Sequence, residues 1–214
     1  MTVAHVLMPE RGVFVCRISE ERAFAPGDDC LVELEYGRDL GKIQEIAQLR
    51  PQDMAKGRLP SFRVLRKQSP EDAAKAKANV AIAQKAATAF LDTVNSDTQN
   101  IKIIHARFSL NRNRLFIRYC AQNQLNLRGY LKPIEREYHT RIDLWQVGVR
   151  DAAAIIGCMG ICGRPACCCT WQRKFLHVNL KMAKHQDISL NPNTVNGCCG
   201  RLKCCLRFED DPKE

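Results

Sequence analysis

Cysteine is the side chain whose placement could do chemistry in this chain. The run Cys162-Gly163-Arg164-Pro165-Ala166-Cys167-Cys168 returns as Cys199-Gly200-Arg201-Leu202-Lys203-Cys204-Cys205, so both segments read C-G-R-x-x-C-C. Thiolates bind soft metals, and four of them complete a tetrahedral zinc site or supply one ligand to each iron of a cubane cluster. Two half-sites supply four. Adjacent cysteines point apart in regular structure, so one of each pair is expected to ligate. That reading favours Cys162, Cys167, Cys199 and Cys204. It leaves Cys168 and Cys205 as substitutes, core residues or ligands of a shared second site. Gly163 and Gly200 let the backbone turn and bring amides towards sulfur, and Arg164 and Arg201 add positive charge around the thiolates.

Nine of the twelve cysteines lie between Cys158 and Cys205, so they form a local device rather than a scaffold spread along the chain. Clustered thiols in a reducing compartment hold metal or do redox work. The four-residue gap is at the long end of zinc-knuckle spacing, which tilts the choice towards an iron-sulfur cluster and keeps zinc as the alternative. Thiols buried as small apolar groups are the plain alternative to any metal. A thiol-disulfide enzyme is disfavoured because no C-x-x-C occurs. No phosphate loop, nucleophile elbow or paired acids specify catalysis, so a non-catalytic protein is expected. From Cys158 to Phe208 eight basic residues, including Arg173 and Lys174, face Asp187 alone. They would offset thiolates or phosphates equally well. Glu209, Asp210 and Asp211 are expected to be a solvated tail.

With 214 residues, 45% apolar and 26% charged, the chain has ordinary globular composition, which excludes wholesale disorder. No run approaches the roughly 18 apolar residues of a spanning helix. Pro9, Glu10 and Arg11 interrupt any leader, so a soluble cytoplasmic protein is expected. The formal net charge of +10 favours acidic partners.

The elements that must position the cysteines come earlier. Residues 1–68 read as a small antiparallel β unit with strands at Val13 to Ile18, Cys30 to Tyr36 and Lys42 to Ala47. Within it, Arg58, Arg63, Arg66 and Lys67 meet no nearby acid in sequence and are expected on a solvated surface. Residues 69–150 form an α+β scaffold. Ser69-Pro70-Glu71-Asp72 starts a helix running to about Val94, with Ala73, Ala76, Val80, Ala83, Ala87, Phe90 and Val94 along one stripe. Ile101 to Leu110 and Arg114 to Ala121 make a hairpin about Asn111-Arg112-Asn113. A second helix over Asn126 to Tyr138 and a strand over Arg141 to Val149 complete a helix-packed antiparallel sheet, with a ferredoxin-like arrangement among the options. Residues 151–214 are the appended cysteine-rich module. Lys102, Arg107, Arg112, Arg114 and Arg118 mark a positive face for nucleic acid or a protein partner, with Phe108, Phe116 and Tyr119 read as hairpin core.

Arg141-Ile142-Asp143-Leu144, Gln146 to Asp151, Gly160 to Pro165, Lys181-Met182-Ala183-Lys184, Ser189-Leu190-Asn191-Pro192 and Gly197 to Leu206 closely resemble the bacterial RicT (YaaT) family, also called the polymerase-suppressor C-terminal domain. The resemblance is specific from about 139 to 209. It implies a cytoplasmic regulatory protein without established catalysis. It also implies small protein partners in a complex that carries 4Fe-4S clusters and binds ribonuclease Y to direct messenger-RNA maturation, on which sporulation, competence and biofilm formation depend. The family's recurring cysteines fall on Cys162, Cys167, Cys168, Cys199, Cys204 and Cys205. Cys158, Cys169 and Cys198 stand where that family usually has a small residue.

Overall fold

The computed structural model describes residues 2–9, 12–19, 23–48, 60–95, 101–172 and 175–210. Arg58, Arg173, Lys174 and Asp211, singled out in the sequence, lie outside the described residues. The fold is α+β.

Strands β1 (Thr2–Met8), β2 (Gly12–Arg17), β3 (Asp29–Leu34), β4 (Gly37–Gln48) and β5 (Phe62–Lys67) close into a barrel in the order β1-β2-β5-β3-β4. Neighbours are antiparallel except β2 and β5, which run parallel. Ala4, Val6, Met8, Cys16, Cys30, Val32, Ile43 and Val64 fill its interior. The basic stretch is β5, whose Arg63, Arg66 and Lys67 side chains stay 63%, 43% and 54% exposed, as expected of a solvated surface, while meeting acids across the fold. Arg63 pairs with Glu33 at 2.8 Å, and Lys67 with Asp28 at 2.7 Å. Arg66 forks onto Asp72.

Helix α1 (Pro70–Asn95) opens on a reciprocal cap. Ser69 Oγ accepts the Asp72 N–H at 3.3 Å, and Asp72 Oδ2 accepts the Ser69 N–H at 3.0 Å. Ala83, Ala87, Phe90 and Val94 lie on its buried face as expected. Its first half differs: Asp72 and Asn79 are buried, whereas Val80 is 43% exposed and Ala73 is also exposed. Both buried polar groups have dedicated partners, so burial does not cost an unmade hydrogen bond. Asn79 Nδ2 donates to the carbonyls of Ser109 and Leu110, and its Oδ1 accepts from Arg112 Nε at 2.7 Å. One amide therefore clamps the hairpin turn.

That turn joins β6 (Lys102–Phe108) to β7 (Arg114–Cys120), with Arg112 in the left-handed region at φ 57°. Helix α2 (Arg128–Tyr138) then leads to β8 (Arg141–Gln146), giving a sheet ordered β6-β7-β8. Ser109 N–H donates to the Arg114 carbonyl inside the antiparallel hairpin. Arg141 N–H donates to the Asn113 carbonyl and Val147 N–H to the Tyr119 carbonyl, so β8 follows the direction of β7 and α2 is the crossover. The sheet has three strands, one fewer than a ferredoxin-like unit.

Contacts divide the chain into two compact units: Met1–Thr98, Ala106–Ile117 and Asn126–Leu144 in one, and Gln99–His105, Arg118–Leu125 and Trp145–Glu214 in the other. The second contains α3 (Val149–Ile156), α4 (Leu180–His185), α5 (Pro192–Val195) and α6 (Cys205–Glu209). Met182, Ala183, Val195 and Leu206 form a small core there, with Val178, Ile188 and Leu202 against it. Asn179 caps α4 by accepting the Met182 N–H at 3.2 Å. No helix among the described residues is long and apolar enough to cross a membrane.

Candidate metal centre

The sequence repeat is also a backbone repeat. Gly160 N–H donates to the Arg164 carbonyl at 2.8 Å, and Gly197 N–H to the Arg201 carbonyl at 2.8 Å. Gly163 N–H reaches the Gly160 carbonyl at 3.0 Å, and Gly200 N–H the Gly197 carbonyl at 2.9 Å. Ala166 N–H bonds the Cys158 carbonyl, as Lys203 N–H bonds that of Val195. Isolated bridges pair Met159 with Pro165 and Asn196 with Leu202. Each loop is therefore a tight knuckle whose turn needs a left-handed residue, and Gly163 and Gly200 supply it at φ 75° and 74°. A side chain on either glycine would meet no neighbour, so the backbone angle rather than space selects glycine.

Both knuckles open onto one cavity of about 420 Å³. Cys162, Cys167 and Cys168 line it from the first knuckle and Cys199, Cys204 and Cys205 from the second, with Cys198 and a single acid, Glu209, beside them. Cys168 is buried, Cys162 is exposed and the other four are half-buried. Arg164 and Arg201 are exposed. Among the described residues, no three His, Cys, Asp or Glu side chains already stand close enough together to chelate an ion.

Burial pushes the Cys168 thiol up to about 11, helped by contact with Cys169. Burial also raises Cys204, with the Arg150 guanidinium pulling the other way and the thiols of Cys199 and Cys167 adding to the rise. Cys205 is raised by burial and then by Glu209. Clustered sulfurs resist ionising together unless a cation joins them, and a bound metal reverses that balance. The metal donors on this lining are seven thiols and one carboxylate, a set that suits a soft metal or an iron-sulfur cluster and disfavours a hard, oxygen-seeking cation.

The second unit also has an open groove of about 520 Å³ lined by Arg150, Phe175, His177 and Arg201. Arg150 donates to the Leu202 carbonyl at 2.8 Å and stacks over the Phe175 ring at 5.4 Å, and its Nε is buried with no hydrogen-bond partner among the described residues.

The expected positive face is largely occupied by internal contacts. Arg107, 15% exposed at its side chain, forks onto buried Asp39 and stacks on Phe116. Arg112 holds Asn79, Arg114 pairs with Asp143 at 2.8 Å and stacks on Tyr36, and Arg118 lies over Trp145. Lys102 is exposed. Phe108, Phe116 and Tyr119 are core residues. The expected acidic tail is partly structured: Glu209 ends α6, and Asp210, 8% exposed at its side chain, meets His185 at 3.4 Å.

Sequence reasoning missed two features of the second unit. Cys158 and Cys198 lie outside the repeat, yet their sulfurs touch at 2.7 Å. Arg150 falls in the Gln146 to Asp151 segment of the resemblance, but the sequence assigns it no role; it lies in α3, lines the groove and acts on Cys204.

A model of the PSP1 C-terminal conserved region matches residues 62–147, and one of the PSP1-like protein third domain matches residues 177–212. Together these two segments cover more than half of the chain and support its resemblance to the YaaT (PSP1) family. The stage 0 sporulation protein YaaT of Bacillus subtilis is 36% identical over 115 residues, which is 54% of this chain and 42% of that protein. The match therefore spans under half the length of the curated relative. No solved structure matches the chain significantly. The family models extend the resemblance into the scaffold, whereas the first cysteine knuckle falls between the two matched segments.

Proposed function

We propose that the second unit holds a thiolate-ligated iron-sulfur cluster, of 4Fe-4S type, and that the protein is a non-catalytic cytoplasmic subunit of a regulatory complex. The observation that carries this is the convergence of two identical knuckles, with six thiols, on one cavity. Cys162, Cys167, Cys199 and Cys204 are the favoured ligands, with Cys168 and Cys205 as the remaining candidates. A cluster bound there supplies a structural or redox-sensitive element. The chain supplies the sulfur donors, the backbone amides around them and the positive charge of Arg150.

Protein partners are supported by surface composition. Ten of the fourteen large apolar residues exposed among the described residues lie between Val149 and Phe208, Trp171 and Phe208 included. Family membership extends the proposal to small partner subunits, ribonuclease Y and messenger-RNA processing of the kind that controls sporulation, competence or biofilm formation. The test is anaerobic purification with iron and acid-labile sulfide analysis, followed by co-purification of ribonuclease Y. Iron and sulfide in equal amounts support the cluster, and colourless zinc-containing protein overturns it in favour of a zinc module. Full metal retention in both Cys162→Ser and Cys199→Ser would overturn the shared half-site arrangement.

A second reading, direct RNA contact, is favoured by the groove. In this reading a phosphate engages exposed Arg201 while a base packs by Phe175. Binding of single-stranded RNA that weakens with salt and falls in Arg201→Ala supports it. Equal affinity in wild type and variant overturns it.

A further inference from the structure

Cys158 and Cys198 belong to neither set of repeated positions. Forty residues apart in sequence, their sulfurs lie 2.7 Å apart. Neither residue sits on a loose segment. The Cys158 carbonyl accepts the Ala166 N–H at 2.9 Å and closes the first knuckle, while Cys198 stands inside the second between Gly197 and Cys199. Two hydrogen-bonded loops thus hold this one thiol pair in contact, and Cys198 is exposed to reagents from solution.

We propose that Cys158 and Cys198 are a disulfide-forming site that ties the two knuckles together, with a low-molecular-weight disulfide as the oxidant. Exposed Cys198 attacks that disulfide as its thiolate, giving a mixed disulfide and releasing one small thiol. Cys158 then attacks the Cys198 sulfur, forms the protein S–S bond and expels the second small thiol. Two protein thiols are oxidised, one external disulfide is reduced to two thiols, and the protons lost by Cys158 and Cys198 appear on them. The bond joins the loops beside the cavity without using any of the six repeat cysteines. It therefore survives metal loss and keeps the half-sites together until metal returns. This role is independent of which metal the cavity takes.

The experiment uses the full chain with its metal, treated with oxidised glutathione, then alkylated and mapped by peptide mass. Alkylation at Cys158 and Cys198 should fall by about tenfold or more while a cross-linked peptide pair appears, lighter by two hydrogens. Cys158→Ser and Cys198→Ser should each lose that pair, Cys120→Ser should form it like wild type, and all three should keep the wild-type metal content. Undiminished alkylation at both positions, or a cross-link from either to a repeat cysteine, overturns the proposal. Metal loss in Cys158→Ser or Cys198→Ser also overturns it, because the pair would then be ligands, and it leaves the cluster assignment standing.

Discussion

In the barrel, Cys16 and Cys30 are completely buried among Val32, Ile43 and other apolar side chains, and burial pushes both thiols up to about 12. They act as small hydrophobes. In the second unit the repeat cysteines line an open cavity beside a core of four buried residues, and apolar side chains face outwards around them. The same residue type thus fills space where strands already exclude water and, in the second unit, lines an open cavity beside a small core, where the proposed function makes it a donor. Small units with thin cores need a metal, a cross-link or a partner.

Stripping the proposed metal should separate the two regions most strongly. Structural thiolate sites contribute on the order of 10 kcal/mol of apparent folding energy, so chelation should abolish amide protection at Met182, Ala183 and Leu206. Hydrogen exchange at Val3, Val6 and Val32 should stay unchanged. Equal loss in both places would break the distinction.

The next effect belongs to the first unit. Arg107→Ala leaves Asp39, 1% exposed, without its guanidinium, and should cost about 3–5 kcal/mol in denaturant unfolding of that unit, with metal content intact. Acid titration sharpens the picture further. Arg66 and the Ser69 amide hold the Asp72 carboxyl down at about 2, below its unfolded value near 4. Its contribution, up to about 2 kcal/mol, is complete above roughly pH 4 and fades as pH falls towards 2. Asp72→Asn should remove that pH-dependent part. Of similar size, Cys16→Ser should cost about 1–3 kcal/mol for a hydroxyl in an apolar interior and should leave iron or zinc content untouched. Metal loss in that variant would contradict the barrel's independence.

The knuckles were legible because residue identity itself recurs, and identical backbone bonds followed. The C-terminal half of α1 was legible because Ala83, Ala87, Phe90 and Val94 keep helical spacing. Its start was legible from the cap residues Ser69 to Asp72, but the burial pattern of its first half was not, because Asp72 and Asn79 are buried polar groups with partners outside the helix. Arg66 comes from β5, and Ser109, Leu110 and Arg112 lie some 30 residues on. Strand β5 was hidden by its arginines and lysine, whose acids Glu33 and Asp28 lie on or beside β3. Part of the positive face is neutralised for the same reason: Asp39 and Asp143 are distant in sequence but adjacent in space to Arg107 and Arg114, while Lys102 and Arg112 stay exposed. The Cys158–Cys198 contact left no mark in the repeat, since neither residue has a thiol at the matching position.

Closure of the five-stranded ring has a mechanical corollary. Between β2 and β5 the pairing spans only Cys16 with Phe62 and Arg17 with Arg63, whereas β1 and β2 match over six positions. Strain applied to the ring should part it at this short zip, exposing two strand rims that could recruit a foreign strand. Phe14 packing edge-on against Phe62 at 5.3 Å, and Arg17 Nε donating to the Pro60 carbonyl at 2.7 Å, act as the latch that keeps those rims out of reach.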